Sequence, residues 1–252
     1  TSFRNGAGFM PCQGLYYSPK GKKPKTAFIA THYNVDFSEH YLAEFMAERG
    51  YAFLGWNTRF RGNEAFFLLE HALIDIGAGV RWLKEEAGID QVVILGNSGG
   101  GSLMGAYQSQ AQGVTMTATP GLELPPALEE LTPADLYVSL CAHSGRPEVL
   151  TAWLDPSVTV ETDPTSIDPD LNMYDENNGP PYSADFIKRY REAQEVRNHR
   201  ITDWCHSELV RLKTLGMSDR AFNLFRTWAD LRLMDGNIDP SAREVGRCYA
   251  GD

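Results

Sequence analysis

The sequence predicts an α/β protein built on a mostly parallel sheet, and three observations carry that prediction. Short apolar runs bounded by turn residues alternate with segments whose apolar residues recur every three or four positions, the signature of repeated strand-helix-strand units. Two of the runs, Ala27 to Ala30 and Val92 to Leu95, are apolar at every position rather than alternating, as strands covered on both faces must be. The second leads into Gly96-Asn97-Ser98-Gly99-Gly100, a glycine-bracketed serine followed at once by a helical pattern.

Taken in order, Gly14 to Tyr17 reads as a short strand and the lysine-rich stretch Lys20 to Lys25 as a solvated turn. Thr26 to Thr31 is the first buried strand. Ser38 is placed to cap a helix that presents Leu42, Phe45 and Met46 on one face, with Gly50 terminating it. A strand from Tyr51 to Trp56 follows, then a helix from about Leu68 to Ala87 with Leu69, Leu73, Ile76, Val80 and Leu83 on one stripe. The strand Gln91 to Leu95, a helix from about Gly101 to Gln112 and, after a proline-rich stretch, a strand from Leu136 to Cys141 complete the series. Beyond Pro147 the chain turns to acidic, proline-punctuated loops (Asp163-Pro164, Asp168-Pro169, Gly179-Pro180-Pro181) and then to aromatic helices from about Ser183 to Met234. An α/β core over residues 1–146 and a mainly helical cap over residues 147–252 are therefore expected.

Composition narrows the function. With 252 residues, 42% of them hydrophobic and 22% charged, the chain can bury a substantial core. A formal net charge of −10 argues against a nucleic-acid partner, which requires a basic surface. Cys12, Cys141, Cys205 and Cys248 lie far apart without paired spacing, so neither a zinc site nor a dense disulfide framework is expected. No dinucleotide or phosphate-loop glycine pattern occurs, and Asp168, Asp170 and Asn172 lack the glycine and distant glutamate of a calcium loop, so no metal or cofactor is expected. No apolar run reaches membrane-span length, and the first thirty residues lack the order of a signal peptide; a cytoplasmic protein is expected.

The chemistry lies in the serine turn. A strand that reverses sharply into a helix brings the backbone around Ser98 close to its neighbours, which is why glycine flanks it two residues to either side. The serine hydroxyl then projects above the sheet. The Gly99 N–H lies at a helix N-terminus, where the dipole favours the negative oxygen of a tetrahedral intermediate.

From about residue 14 to residue 146 the order of strand, turn, strand, helix, serine turn and strand resembles the α/β-hydrolase family, in its serine esterase and lipase-like branch. The resemblance implies that Ser98 is a catalytic nucleophile and that the turn Thr31-His32-Tyr33-Asn34 supplies a second oxyanion donor. His32 matches the family's histidine, which is structural there, and Asn34 matches the donor; Tyr33 stands where the family has glycine. Gly99, Asn34 and Tyr33 are the oxyanion candidates. His143, just after the last strand, is a candidate substrate contact, while His40 and His71 read as solvent-facing helix residues and His199 and His206 as surface or packing residues. Trp153, Tyr182, Trp204 and Trp228 read mostly as packing, with some available to line a lid.

The family's order of serine, acid and histidine needs two further strands, yet no compact β-branched run follows Tyr182, and Phe222 to Trp228 has helical spacing. Asp155 is a minor candidate for the acid, with loop capping its default role. A sheet ending at Leu136 to Cys141 would also leave an apolar edge unpaired. A C-terminal companion segment or second chain is therefore expected to complete the sheet and supply the acid and base. The expected activity is attack of Ser98 on an ester, thioester or other activated acyl substrate through a covalent acyl-enzyme, without a cofactor; acyl transfer and carbon–carbon bond hydrolysis use the same nucleophile. The alternative is a non-catalytic binding or interaction subunit, which has no chemical need for the strained turn.

Overall fold

The computed structural model describes residues 11–62, 66–227 and 230–237, and the chain divides into two compact units, Thr1–Ser144 and Gly145–Asp252. In the first unit the elements are β1 (Gln13–Tyr17), β2 (Thr26–Ala30), α1 (Ala43–Glu48), β3 (Ala52–Asn57), α2 (Leu69–Glu85), β4 (Gln91–Ser98), α3 (Gly100–Ala111) and β5 (Leu136–Ala142). They form a five-stranded sheet in the order β1-β3-β2-β4-β5, antiparallel at β1 and parallel elsewhere. This is an α/β architecture, a mostly parallel sheet with helices between its strands.

Side-chain alternation along the strands feeds two cores. Ala27, Ile29, Val92 and Ile94 point to one face, where α2 and α3 cover them with Leu73, Ile76, Val80, Leu83, Met104 and Tyr107. Ala30, Phe53 and Leu95 point to the other, against Ala43 of α1 and Phe37. Each fully buried aliphatic or aromatic side chain contributes about 1.5–3 kcal/mol, which explains why the two continuous apolar runs are the central strands. β5 is different: Leu136, Tyr137 and Val138 remain 52%, 42% and 39% exposed, so the sheet ends on an apolar strand.

The second unit comprises α4 (Arg146–Trp153), an antiparallel hairpin of β6 (Val158–Val160) and β7 (Asp163–Ile167), the 31-residue α5 (Ala184–Thr214) and a short α6 (Leu231–Met234). The hairpin occupies a stretch that the sequence reads as loop. Its β-branched residues Val158, Thr159, Val160, Thr165 and Ile167 suit a strand, and the Asp163 carboxylate accepts the Thr165 N–H at 2.9 Å to start β7. Ser183 caps α5 by accepting the Phe186 N–H at 3.1 Å. The helix stops at Thr214 because Gly216 takes a left-handed conformation (φ 70°) and Met217 donates back to the Leu212 carbonyl at 3.0 Å. The helical spacing read over Phe222 to Trp228 is therefore overturned up to Thr227: Arg226 forms a bridge with Leu154, and Thr227 donates to the Trp153 carbonyl at 2.9 Å. Trp228 and Cys248 lie outside the described residues. Among the described residues no helix is long and apolar enough to cross a membrane.

Candidate active site

The strand order reverses at β2, since the chain leaves it for β3 on one side and returns to β4 on the other. Loops that follow the carboxyl ends of such a pair diverge and leave a crevice, the usual location of a ligand site in open parallel sheets. The two segments that meet here are residues 31–38 after β2 and the serine turn after β4.

Ser98 has φ 54°, one of two non-glycine residues with positive φ among the described residues. A left-handed backbone at a residue with a β-carbon costs about 1–3 kcal/mol and persists only where the surroundings impose it. Here they do. A β-carbon on Gly100 would lie 2.2 Å from the Thr31 carbonyl oxygen, and one on Gly99 would lie 2.2 Å from the Tyr33 ring and 2.6 Å from His32 Nε2. Gly96 and Gly101 are equally closed, by the Tyr137 hydroxyl at 2.7 Å and by the Ala142 β-carbon at 2.3 Å. The glycines let β4, α3 and the turn after β2 approach to contact, and Ser98 takes up the bend.

Asn97 stabilises the same bend from below. Its Nδ2 donates to the Leu140 carbonyl at 3.0 Å, and its Oδ1 lies 3.2 Å from His40 Nε2. His40 Nδ1 accepts the Leu42 N–H at 3.2 Å, so the proton resides on Nε2 and is donated to Asn97. His40 is thus buried, not solvent-facing, and burial pushes its imidazole below the ordinary pKa and keeps it neutral. It precedes α1, whose N-cap is Leu42; Ser38 bonds Asp36 instead of capping. On the other side, the β4–β5 register shifts between Asn97 and Ser98, Cys141 has φ 42°, and the His143 N–H donates to the Ser98 carbonyl at 2.8 Å. A bulge on β5 therefore faces the bend on β4. His143 is thus tied to the Ser98 backbone.

The turn after β2 is built around His32, whose Nδ1 accepts the N–H groups of Asn34 and Val35, each at 3.3 Å. Its ring stacks at 4.2 Å on Tyr33, the residue whose ring lies against Gly99. Farther along, the buried Asn57 accepts the Phe37 N–H at 2.8 Å and donates to Asp36 at 2.7 Å. The Ser38 hydroxyl bond, with support from Asn57 and Arg61, holds the Asp36 carboxyl down at about 2. Tyr33 and Asn34 thus sit on a doubly anchored loop directly beside the elbow.

The remaining candidates are dispersed. His71 is half-buried against Arg59 rather than solvent-facing, with Nδ1 3.3 Å from the guanidinium, and burial and that charge push its pKa down. His199 and His206 are exposed on α5. The Asp155 carboxylate accepts the N–H and hydroxyl of Ser157 at 3.0 and 2.6 Å, a turn cap in the second unit. Among the described residues no group of three or more His, Cys, Asp or Glu side chains could hold a metal ion. The supporting roles of His40, Asn97 and Cys141 escape sequence reasoning. Only Asn97, a polar residue between an apolar strand and the serine, offers a signal.

No family model and no curated protein matches the sequence. Among solved structures the chain is similar to the ferulic acid-bound Est1E from Butyrivibrio proteoclasticus, with 20% identity over 40% of this chain and 43% of that one and a TM-score of 0.34. It is also similar to brefeldin A esterase, a bacterial homologue of human hormone-sensitive lipase, with 19% identity over 38% of this chain and 30% of that one and a TM-score of 0.32. The matched part spans less than half the length of either protein.

Proposed function

We propose that this chain is the nucleophile-bearing part of a serine hydrolase acting on an ester, thioester or other activated acyl group. The observation that carries the reading is the left-handed Ser98 between β4 and α3, enclosed by four glycines that admit no β-carbon. A binding scaffold gains nothing from that strain, whereas a nucleophile gains an exposed hydroxyl at a helix N-terminus.

In this mechanism the Ser98 hydroxyl oxygen attacks the acyl carbon while a general base takes its proton. The Gly99 N–H and the backbone N–H of Tyr33 or Asn34 stabilise the oxyanion; the Asn34 N–H is held by His32 only through a long 3.3 Å bond that a stronger acceptor can displace. The base returns the proton to the leaving alcohol or thiol, and water then hydrolyses the acyl-enzyme. His143, bonded to the Ser98 carbonyl, flanks the incoming substrate. The base and its acid come from a C-terminal companion segment or second chain that adds strands beside β5, covering Leu136, Tyr137 and Val138.

The test is covalent labelling with a fluorophosphonate. Oxyanion binding alone sustains part of a serine hydrolase's reactivity, so the chain should label slowly at one site, and Ser98→Ala should abolish labelling with an unchanged circular dichroism spectrum. Labelling that persists in Ser98→Ala overturns the assignment.

A further inference from the structure

Within the second unit, α5 and the segment 220–225 enclose a cavity of about 620 Å³, in the size range of sites for small organic ligands. Its walls are largely apolar, from Ile201, Trp204, Phe222 and Phe225, with the Phe222 ring edge-on to Trp204 at 5.1 Å. Two arginines, Arg200 and Arg220, and the carboxylate Glu161 line it as well.

Each of these arginines shares its carboxylate partner with a second arginine. Glu161 is shared by Arg197 at 2.7 Å and Arg200 at 2.8 Å, and Glu208 is shared by Arg211 at 2.7 Å and Arg220 at 2.6 Å. Each cluster has two guanidiniums on one carboxylate, with Asp203 one helical turn from Arg200 and Asp219 next to Arg220 as further acids. Arg197 is fully committed, because it is buried and also donates to the carbonyls of Asp155 and Phe225. The cavity-lining pair is not. Arg200 bonds only through Nη2 and Arg220 only through Nη1, which leaves the other nitrogens of each fork for a ligand, among the described residues. Arg220 also lies over the Trp204 ring at 5.7 Å, so its position is fixed without using those donors.

We propose that this cavity binds a small amphipathic carboxylate, its apolar body against Trp204, Phe222 and Phe225 and its carboxylate on the free guanidinium nitrogens of Arg200 and Arg220. Arginine suits this role because its planar fork matches a carboxylate, and the two guanidiniums facing the ligand would disfavour a cation of the same shape. The site lies wholly in the second unit and does not rest on the serine chemistry.

Isothermal titration of the full chain with naphthalene-2-carboxylate, naphthalene-2-methanol and naphthalene-2-methylamine tests it. The carboxylate should bind at least about tenfold tighter than the amine, with the alcohol between them, and added salt should weaken only the carboxylate. Arg200→Gln with Arg220→Gln should bring the carboxylate to the level of the alcohol, while Phe222→Ala should weaken all three. Ser98→Ala should change none of them, which separates this site from the acyl site. Should the double variant lose its fold, Arg220→Lys, which keeps the charge but not the fork, should weaken the carboxylate alone. Equal affinity for the three probes, no saturable carboxylate binding, or loss of binding in Ser98→Ala would each overturn the proposal.

Discussion

Ser98 in the first unit and Arg197 in the second are both held in positions that an isolated chain would avoid, and the forces that hold them differ. Around Ser98 the constraint is steric: glycines and a bulge let backbone meet backbone, above cores of Ile29, Leu73, Ile94 and Leu95. Around Arg197 the constraint is polar. Its guanidinium reaches Glu161 and two carbonyls, while one helical turn before it Gln194 donates to the Ala152 and Leu154 carbonyls at 2.8 and 2.9 Å. Nearby, Arg191 grips the buried Asp230 through two 2.8 Å bonds. The first unit is thus sensitive to added volume, the second to a removed partner.

The largest effect expected from that difference is at Arg197. Replacing it by alanine leaves Glu161 with Arg200 alone and strands two carbonyl oxygens, and each buried acceptor left unsatisfied costs about 1–3 kcal/mol. Urea titration with hydrogen exchange resolved by peptide should show residues 146–214 losing protection in Arg197→Ala. A loss below about 1 kcal/mol would mean that apolar packing, not this polar network, holds the second unit.

A smaller effect is expected at Gly100. Gly100→Ala puts a methyl group 2.2 Å from the Thr31 carbonyl oxygen, where neither backbone can yield without moving the turn or the elbow. Overpacking of this kind costs about 1–3 kcal/mol. Because the displaced segment carries Tyr33 and Asn34, fluorophosphonate labelling at Ser98 should slow as well. Normal labelling with normal stability would show that the contact between elbow and turn is not needed.

The same contrast accounts for what could be read in advance. Ala27 to Ala30 and Val92 to Leu95 announce central strands because burial on both faces leaves no other composition, and the glycines announce the elbow because only they fit a contact of that closeness. His40 did not reveal its role: it precedes a six-residue helix too short to show a period, and its partner Asn97 is 57 positions away. In the second unit the determinants are distant polar pairs, such as Arg197 with Glu161 and Arg191 with Asp230, which leave no local pattern. The hairpin of β6 and β7 and the end of α5 at Thr214 were therefore hidden, whereas the capped turns at Asp155 and Asp168 were legible from short-range chemistry.

The smallest effect tests whether a polar clamp also contributes to the first unit. Asp36 accepts from the Ser38 N–H at 2.9 Å, the Ser38 hydroxyl, Asn57 at 2.7 Å and Arg61 at 2.9 Å, and these bonds lower its pKa from an ordinary 3.8 to about 2. A carboxyl depressed on folding adds stability that is fully present above its unfolded pKa and disappears as pH falls through the folded value. The window is therefore pH 4 down to about 2. Asp36 is about half exposed and its pairing with Arg61 is screened by solvent, so the contribution should not exceed about 1 kcal/mol. Other carboxylates also titrate in acid, but the difference between the wild-type protein and Asp36→Asn isolates this one. That difference in urea midpoint should be constant above about pH 5 and shrink towards pH 2. A gap that stays constant or widens in acid would show that the carboxylate does not clamp the turn, leaving Asn57 and the His32 ring to hold Tyr33 and Asn34 beside the serine turn.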